Sequence, residues 1–291
     1  MMKTKPKRLR ELLGSDGIVY GPAVYDCIGA MLAVESGFEM LFTSGFGMSA
    51  ALLGKPDIGL LTASEIIEQS RRIARAVDLP IIADLDTGYG GVLNVVRCVS
   101  DAVDGGLAGV ILEDQTWPKR CGHFDGKQVV TLEEHAAKIR AAVRARGDSG
   151  LVIVARTDAR AVEGLESAIV RGRAYLQAGA DVLFIEAPES IEELRKIGEE
   201  FPSDYLFANP LEGGKTPCLP VGELQQLGFN LCAFAVSELI ARVSAVRSTY
   251  KGIQDKGVAV TSEGEGLSYL KDLLKFDECR SLADELQEDV G

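Results

Sequence analysis

Short apolar runs recur along the chain, each closed by turn or acidic residues, with helical patterns in the gaps. They fall at 18–20, 40–43, 81–84, 109–113, 152–156, 182–186, 205–208 and 231–234. Each run is continuous rather than alternating, as strands buried on both faces of a parallel sheet require. Amphipathic stretches at 63–77, 92–104, 132–146, 165–178 and 191–200 supply the helices between them. Eight strand–helix units in sequence predict an α/β fold of the (β/α)8 TIM-barrel type. A doubly wound sheet is the alternative, but no Gly-x-Gly-x-x-Gly opens a helix after the first strand.

Beyond 236 the pattern is helical, with no further strand. Residues 236–254 extend the eighth unit, 257–266 are rich in Gly, Ser, Thr and Glu, and 267–286 read as one additional helix. The expected organisation is a single barrel domain over 1–291, with 257–291 as a C-terminal linker and helical extension. The apolar face of that extension calls for a neighbouring subunit.

Composition acts mainly by exclusion. A length of 291 residues suits one barrel without forcing two domains. The net charge of -12 argues against a nucleic-acid partner, whose backbone selects basic surfaces. No apolar run reaches the roughly 18 residues of a membrane span. The basic start of the chain runs into Glu11, too polar for a signal peptide, so a cytoplasmic protein is expected. Six scattered cysteines lack the spacing of a zinc site, and only two histidines exist. Any metal must therefore be held by oxygen, which means Mg²⁺ or Mn²⁺.

Barrel chemistry gathers at the C-terminal ends of the strands, and these ends are polar here. Asp84 and Asp86 are two apart and point to one side of an extended chain, where like charges repel unless a cation or protons intervene. The alternative is an acidic loop capping the next helix. Glu113 and Asp114 close the fourth run, just before Trp117-Pro118-Lys119-Arg120-Cys121-Gly122-His123. That loop combines two cations, a thiol and an imidazole, which suits anion binding and proton transfer, although a solvated turn with an inert Cys has the same composition. Arg156 follows four apolar residues and needs an anionic partner, either a substrate carboxylate or Glu186 or Glu113. Residues 43–47 and 209–217 add hydroxyls, Asn209 and glycines that let backbone approach a ligand.

These motifs resemble those of the isocitrate lyase and phosphoenolpyruvate mutase superfamily. The resemblance rests on Ser44-Gly45-Phe46-Gly47, Asp84 to Gly90, Glu113-Asp114, Lys119 to His123 and Asn209 to Pro217, in order from about residue 10 to 250. The Lys-x-Cys-Gly-His loop is that of the lyase branch, since the phosphonate mutases carry Asn in place of this Cys. The short chain and Glu-Gly-Gly-Lys-Thr-Pro look most like the 2-methylisocitrate lyase, dimethylmalate lyase and petal death protein group. The resemblance implies a barrel, Mg²⁺, a mobile loop over the site and a homotetramer that swaps C-terminal helices. It implies Asp84 as the direct metal ligand, with Asp57, Asp86 and Glu113 reaching the ion through water. Ser44, Gly45, Arg156, Asn209 and Thr216 would hold the substrate, with Phe46, Arg120, Gly122, Glu212 and Gly213 around them. One departure stands out: Phe234-Ala235-Val236-Ser237 replaces the aromatic-Pro-x-Ser of methylisocitrate lyases.

The expected activity is Mg²⁺-dependent cleavage of a carbon–carbon bond in an anionic 2-hydroxy di- or tricarboxylate. Oxaloacetate hydrolysis is the first alternative, with phosphonate mutation and oxaloacetate decarboxylation behind it. Cys121 is expected to protonate the carbanion left by cleavage, with Lys119, His123 and Glu186 as its catalytic neighbours. The cations beside Cys121 favour thiolate, the surrounding carboxylates favour thiol, and the sequence leaves that contest open.

Overall fold

The computed structural model describes residues 3–259 and 266–288. Eight parallel strands close into a barrel in chain order: β1 (Val19–Val24), β2 (Leu41–Thr43), β3 (Ile81–Asp84), β4 (Gly109–Glu113), β5 (Val152–Thr157), β6 (Val182–Ile185), β7 (Tyr205–Ala208) and β8 (Leu231–Phe234), which pairs with β1. Helices alternate with the strands, so this is a (β/α)8 barrel. The expected strands are present, but β1 runs four residues beyond 20, through Gly21 and Pro22. Pro22 lacks only an N–H, and the ladder tolerates it. Strand β5 gains Thr157, while β6 stops at Ile185 and leaves Glu186 to open the following loop.

The barrel interior is filled by one side-chain cluster that includes Phe42, Ile111, Val154, Phe184 and Phe207. The Phe42 and Phe207 rings stack at 5.0 Å and Phe184 meets Phe207 at 4.4 Å. The basic segment near the start forms the helix Lys5–Leu13, whose Leu9 and Leu13 join this same cluster. Its apolar stripe closes the N-terminal end of the barrel, so the open mouth lies at the other end. Parallel register sets Glu113 beside Arg156, bringing an acid and a cation together at that mouth.

Backbone packing divides the chain into two compact units, Met1–Glu238 and Leu239–Gly291. The helix Ser237–Lys256 crosses that boundary. The single helix expected at 267–286 is two, Leu267–Leu273 and Phe276–Glu288. Lys275 between them adopts φ 54°, a left-handed conformation that ends a helix. Most of the linker expected at 257–266 lies outside the described residues.

Candidate active site

The cavity at the mouth is lined by side chains from most strand ends, among them Ser44, Gly45, Phe46, Asp57, Asp84, Lys119, Cys121, Gly122, His123, Arg156, Glu186 and Asn209. Its floor is the aromatic layer of Phe42, Phe184 and Phe207. Polar groups on an apolar, enclosed base fix a ligand's orientation and strengthen every charge in the site.

One half of the site is an acidic cluster built on β3. The Asp84 amide donates to Thr43 Oγ1 at 3.0 Å, and the Asp86 amide donates back to Asp84 Oδ1 at 3.0 Å. Asp86 has φ 47° and Tyr89 φ 57°, left-handed conformations for residues with side chains, and Tyr89 OH donates to Asp86 Oδ2 at 3.0 Å. Strain of this kind persists only where surrounding contacts enforce it. Lys119 Nζ, buried, lies 2.7 Å from Asp57 Oδ2 and 2.6 Å from Asp86 Oδ1. Burial alone would lower its pKa, but Asp86, Asp57 and Glu113 raise it well above the usual lysine value. One ammonium does not offset four acids. Burial, then Asp86, pushes Asp84 up to about 6; burial also raises Asp57 and Glu113. Glu113 Oε1 is buried and has no hydrogen-bond partner among the described residues.

The other half is organised on Arg156. Its guanidinium reaches Asp158 Oδ2 from Nε at 2.9 Å, Glu186 Oε2 from Nη1 at 3.0 Å and Glu113 Oε2 from Nε at 3.3 Å. Both partners weighed from sequence, Glu186 and Glu113, are therefore engaged, and Asp158 adds a third. Burial would raise Glu186, but Arg156 and then His123 hold it below the usual carboxylate value. His123 Nε2 faces Glu186 Oε1 at 3.0 Å, while the Lys215 amide donates to His123 Nδ1 at 3.0 Å.

Cys121 lies between these halves. Burial, assisted by Asp57 and Glu186, pushes the thiol up to about 11 against the opposing His123 amide and Arg156. Desolvation thus decides the contest, and the side chain is a thiol at neutral pH. Gly122 beside it is indispensable: a Cβ there would collide with Arg156 Nη2 and sit 2.6 Å from Glu186 Cγ.

Several expected residues differ in position or in contacts. Asp86 and Glu113 are buried behind the cavity rather than lining it. Arg120 is exposed, and its Nη1 donates to Asp125 O at 3.1 Å within the loop. Its charge faces solvent while Gln115 grips the Arg120 backbone at both N–H and C=O. Glu212 is exposed and accepts from Ser237 Oγ, and a Cβ placed on Gly213 would meet nothing within 4 Å. Thr216 is buried with Oγ1 unpartnered among the described residues, but it does not line the cavity. The Ser44 hydroxyl donates to Ala235 O and accepts from the Gly47 amide, so it shapes the turn. No three His, Cys, Asp or Glu side chains among the described residues converge as a preformed metal site.

Sequence reasoning missed the parts played by Gln115, Asp158 and Lys215. Asp158, two residues after Arg156 and just past the end of β5, carried a usable signal, because residues two apart along extended chain face the same side. Lys215 acts through its backbone, which no composition reveals.

A sequence model described as phosphoenolpyruvate phosphomutase matches residues 9–254. The chain belongs to this family. Members similar to it include the chloroplastic carboxyvinyl-carboxyphosphonate phosphorylmutase of Arabidopsis thaliana, 43% identical over 95% of this chain and 80% of that protein. The 2,3-dimethylmalate lyase of Eubacterium barkeri is 38% identical over 94% and 96%. The 2-methylisocitrate lyase of Bacillus subtilis is 41% identical over 89% and 84%. Among solved structures, an oxaloacetate acetylhydrolase bound to 3,3-difluorooxalacetate superposes at TM-score 0.94, with 34% identity over 98% of this chain and 97% of that one. A 2,3-dimethylmalate lyase of the PEP mutase/isocitrate lyase superfamily also reaches 0.94, with 32% identity over 98% and 96%. A phosphonopyruvate hydrolase complexed with oxalate and Mg²⁺ matches at 0.86, with 30% identity over 96% and 98%.

Proposed function

We propose that the protein is a Mg²⁺-dependent lyase that cleaves a carbon–carbon bond of a 2-hydroxy di- or tricarboxylate, of 2-methylisocitrate or 2-alkylmalate type, to an α-keto acid and a carboxylate. The observation that carries this reading is Cys121, a half-buried thiol held protonated in the same cavity as Asp84 and Arg156. A proton donor facing an anion site is what a carbanion product requires. As the substrate hydroxyl gives its proton to a carboxylate of the cavity and becomes the carbonyl, the bond to the neighbouring carbon breaks and leaves an electron pair there. The Cys121 S–H supplies the proton, and the thiolate is re-protonated before the next turnover. Arg156 holds a carboxylate, Gly122 keeps the loop backbone against the site, and the closed loop excludes water.

The residues fit a hard divalent cation. Their donors are carboxylate oxygens alone, Glu113 Oε1 is buried without a hydrogen-bond partner among the described residues, and burial and then Asp86 raise Asp84 to about 6. Asp84 would bind such an ion directly and Asp57, Asp86 and Glu113 through water, since Lys119 already engages Asp57 and Asp86. When bound, the cation supplies Lewis-acid polarisation and charge neutralisation at the hydroxy-acid end of the substrate. In this reading the protein is a cytoplasmic homotetramer without nucleic-acid or membrane partners.

Oxaloacetate hydrolysis is the second reading, favoured by the oxaloacetate acetylhydrolase superposition at TM-score 0.94. There water attacks the keto carbon and a carboxylate-stabilised carbanion, that of acetate, leaves and is protonated. Phosphonate mutation is disfavoured by Cys121. A panel of 2-methylisocitrate, 2-alkylmalates and oxaloacetate, analysed for products, separates these readings. Keto acid from a hydroxy acid supports the lyase; oxalate and acetate from oxaloacetate alone would replace it.

A further inference from the structure

Lys127 is a charged side chain buried on a surface loop, and none of the chemistry above uses it. Its Nζ donates to Asp158 Oδ1 at 2.9 Å and to the Gly122 carbonyl, with 1% of its side chain exposed and 0% of Asp158's. It does not line the cavity. Burying an ammonium costs several kcal/mol unless an anion meets it, and here the anion lies outside the loop, at the end of β5. That anion is itself fixed. The Asp158 amide donates to Asp114 Oδ1 at 2.8 Å, and Asp114 Oδ2 accepts from Thr157 Oγ1 at 2.7 Å and Tyr175 OH at 2.8 Å. The Arg156 guanidinium also donates to Asp158, so one carboxylate holds the substrate-side arginine and the loop lysine together. Although burial works against ionisation, Arg156 and Lys127 keep Asp158 far below the usual carboxylate range.

The second contact gives this pair its consequence. Gly122 joins Cys121 to His123, both of which face the cavity. A hydrogen bond at its carbonyl fixes the peptide that orients the thiol on one side and the imidazole on the other. We propose that Lys127 is a positioning residue: paired with Asp158, it seats residues 121–123 against Arg156 and Glu186 so that Cys121 reaches the reacting carbon. This inference rests on the active-site reading above, and its test is arranged to stand apart from it.

The test compares wild type with Lys127→Met, which keeps the stem and removes the charge. Two quantities are read: iodoacetamide labelling of Cys121, mapped by peptide mass spectrometry and referred to its complete labelling in denaturant, and kcat and KM per folded molecule. Loss of a buried charge-assisted hydrogen bond predicts a rise of roughly 10- to 100-fold in relative Cys121 labelling, and a fall in kcat of the same order with little change in KM. Lys127→Gln, which keeps a donor for Gly122 O, gives the same readings with a smaller effect and serves if the first variant is unstable. Cys121 labelling at the wild-type rate overturns the inference. So does unchanged kcat per folded molecule with a lowered melting temperature, the signature of a merely structural lysine. If wild type turns over no acid in the panel, the proposed function fails, and the labelling ratio still decides whether Lys127 seats the loop.

Discussion

Lys119 Nζ lies 2.6 Å from Asp86 Oδ1 and 2.7 Å from Asp57 Oδ2, so an ammonium from the loop after β4 is inserted among the acids gathered at β3. That loop and the acidic cluster therefore form one electrostatic unit. Removing either charge leaves the other buried and unpaired, which is far more costly than an exposed ion pair.

Metal dependence follows from the acids that Lys119 leaves uncompensated. Turnover should be lost in EDTA and restored by Mg²⁺ or Mn²⁺. Binding to the folded state alone adds about 2.7 kcal/mol of stability at 100 times Kd. Mg²⁺ should thus raise the melting temperature of wild type but not of Asp84→Ala, which remains folded and inactive. Activity that survives chelation unchanged counts against the metal.

Cys121→Ser should lower turnover by roughly two or more orders of magnitude, the scale of general acid catalysis, while substrate still binds. Because burial pushes the thiol up to about 11, its acid form persists through the neutral range and is lost only as pH rises toward that value. The kcat profile of wild type should accordingly show no alkaline limb between pH 7 and 9 that disappears in the variant. A serine variant with normal turnover would move the proton donor elsewhere.

His135 should make the fold sensitive to acid. It is buried against Tyr175, with ring centroids 4.6 Å apart, and burial followed by Lys138 and Arg171 lowers its pKa to about 3. The unfolded chain takes up this proton near pH ~6.5, whereas the folded one resists it. Stability is therefore fully present above ~6.5 and declines as pH falls toward 3, by up to about 1.4 kcal/mol per pH unit. Urea denaturation of His135→Gln from pH 7 to 4 should show a shallower loss than wild type; parallel curves would remove His135 from the account.

The chain should assemble beyond a dimer. Leu267, Leu270, Leu274, Phe276, Leu282 and Leu286 are all exposed in the single chain, and clustered apolar surface of this kind normally meets a partner. Exchange of C-terminal helices between subunits is the arrangement we expect. Light scattering at micromolar concentration gives the mass directly, and a monomer would contradict it.

The sequence by itself determined the barrel, because strands buried on both faces need continuous apolar runs and the polar residues ending those runs mark its reactive mouth. It also marked Asp84, Arg156 and Glu186, each a charge closing an apolar run, and Cys121 to His123, where a thiol and an imidazole stand beside two cations. Which partner each one takes was decided only by tertiary structure. The sequence offered Glu113 or Glu186 to Arg156, and the closed barrel supplies both together with Asp158. Lys119 and Arg120 are neighbours of equal charge in the chain, yet one is buried among acids and the other faces solvent. The protonation of Cys121 depended on how much water the folded loop removes, against cations and anions whose distances no local pattern contains. Pairings across 44 positions, such as the Asp158 amide on Asp114, arise from strand register, and register is a property of the closed sheet.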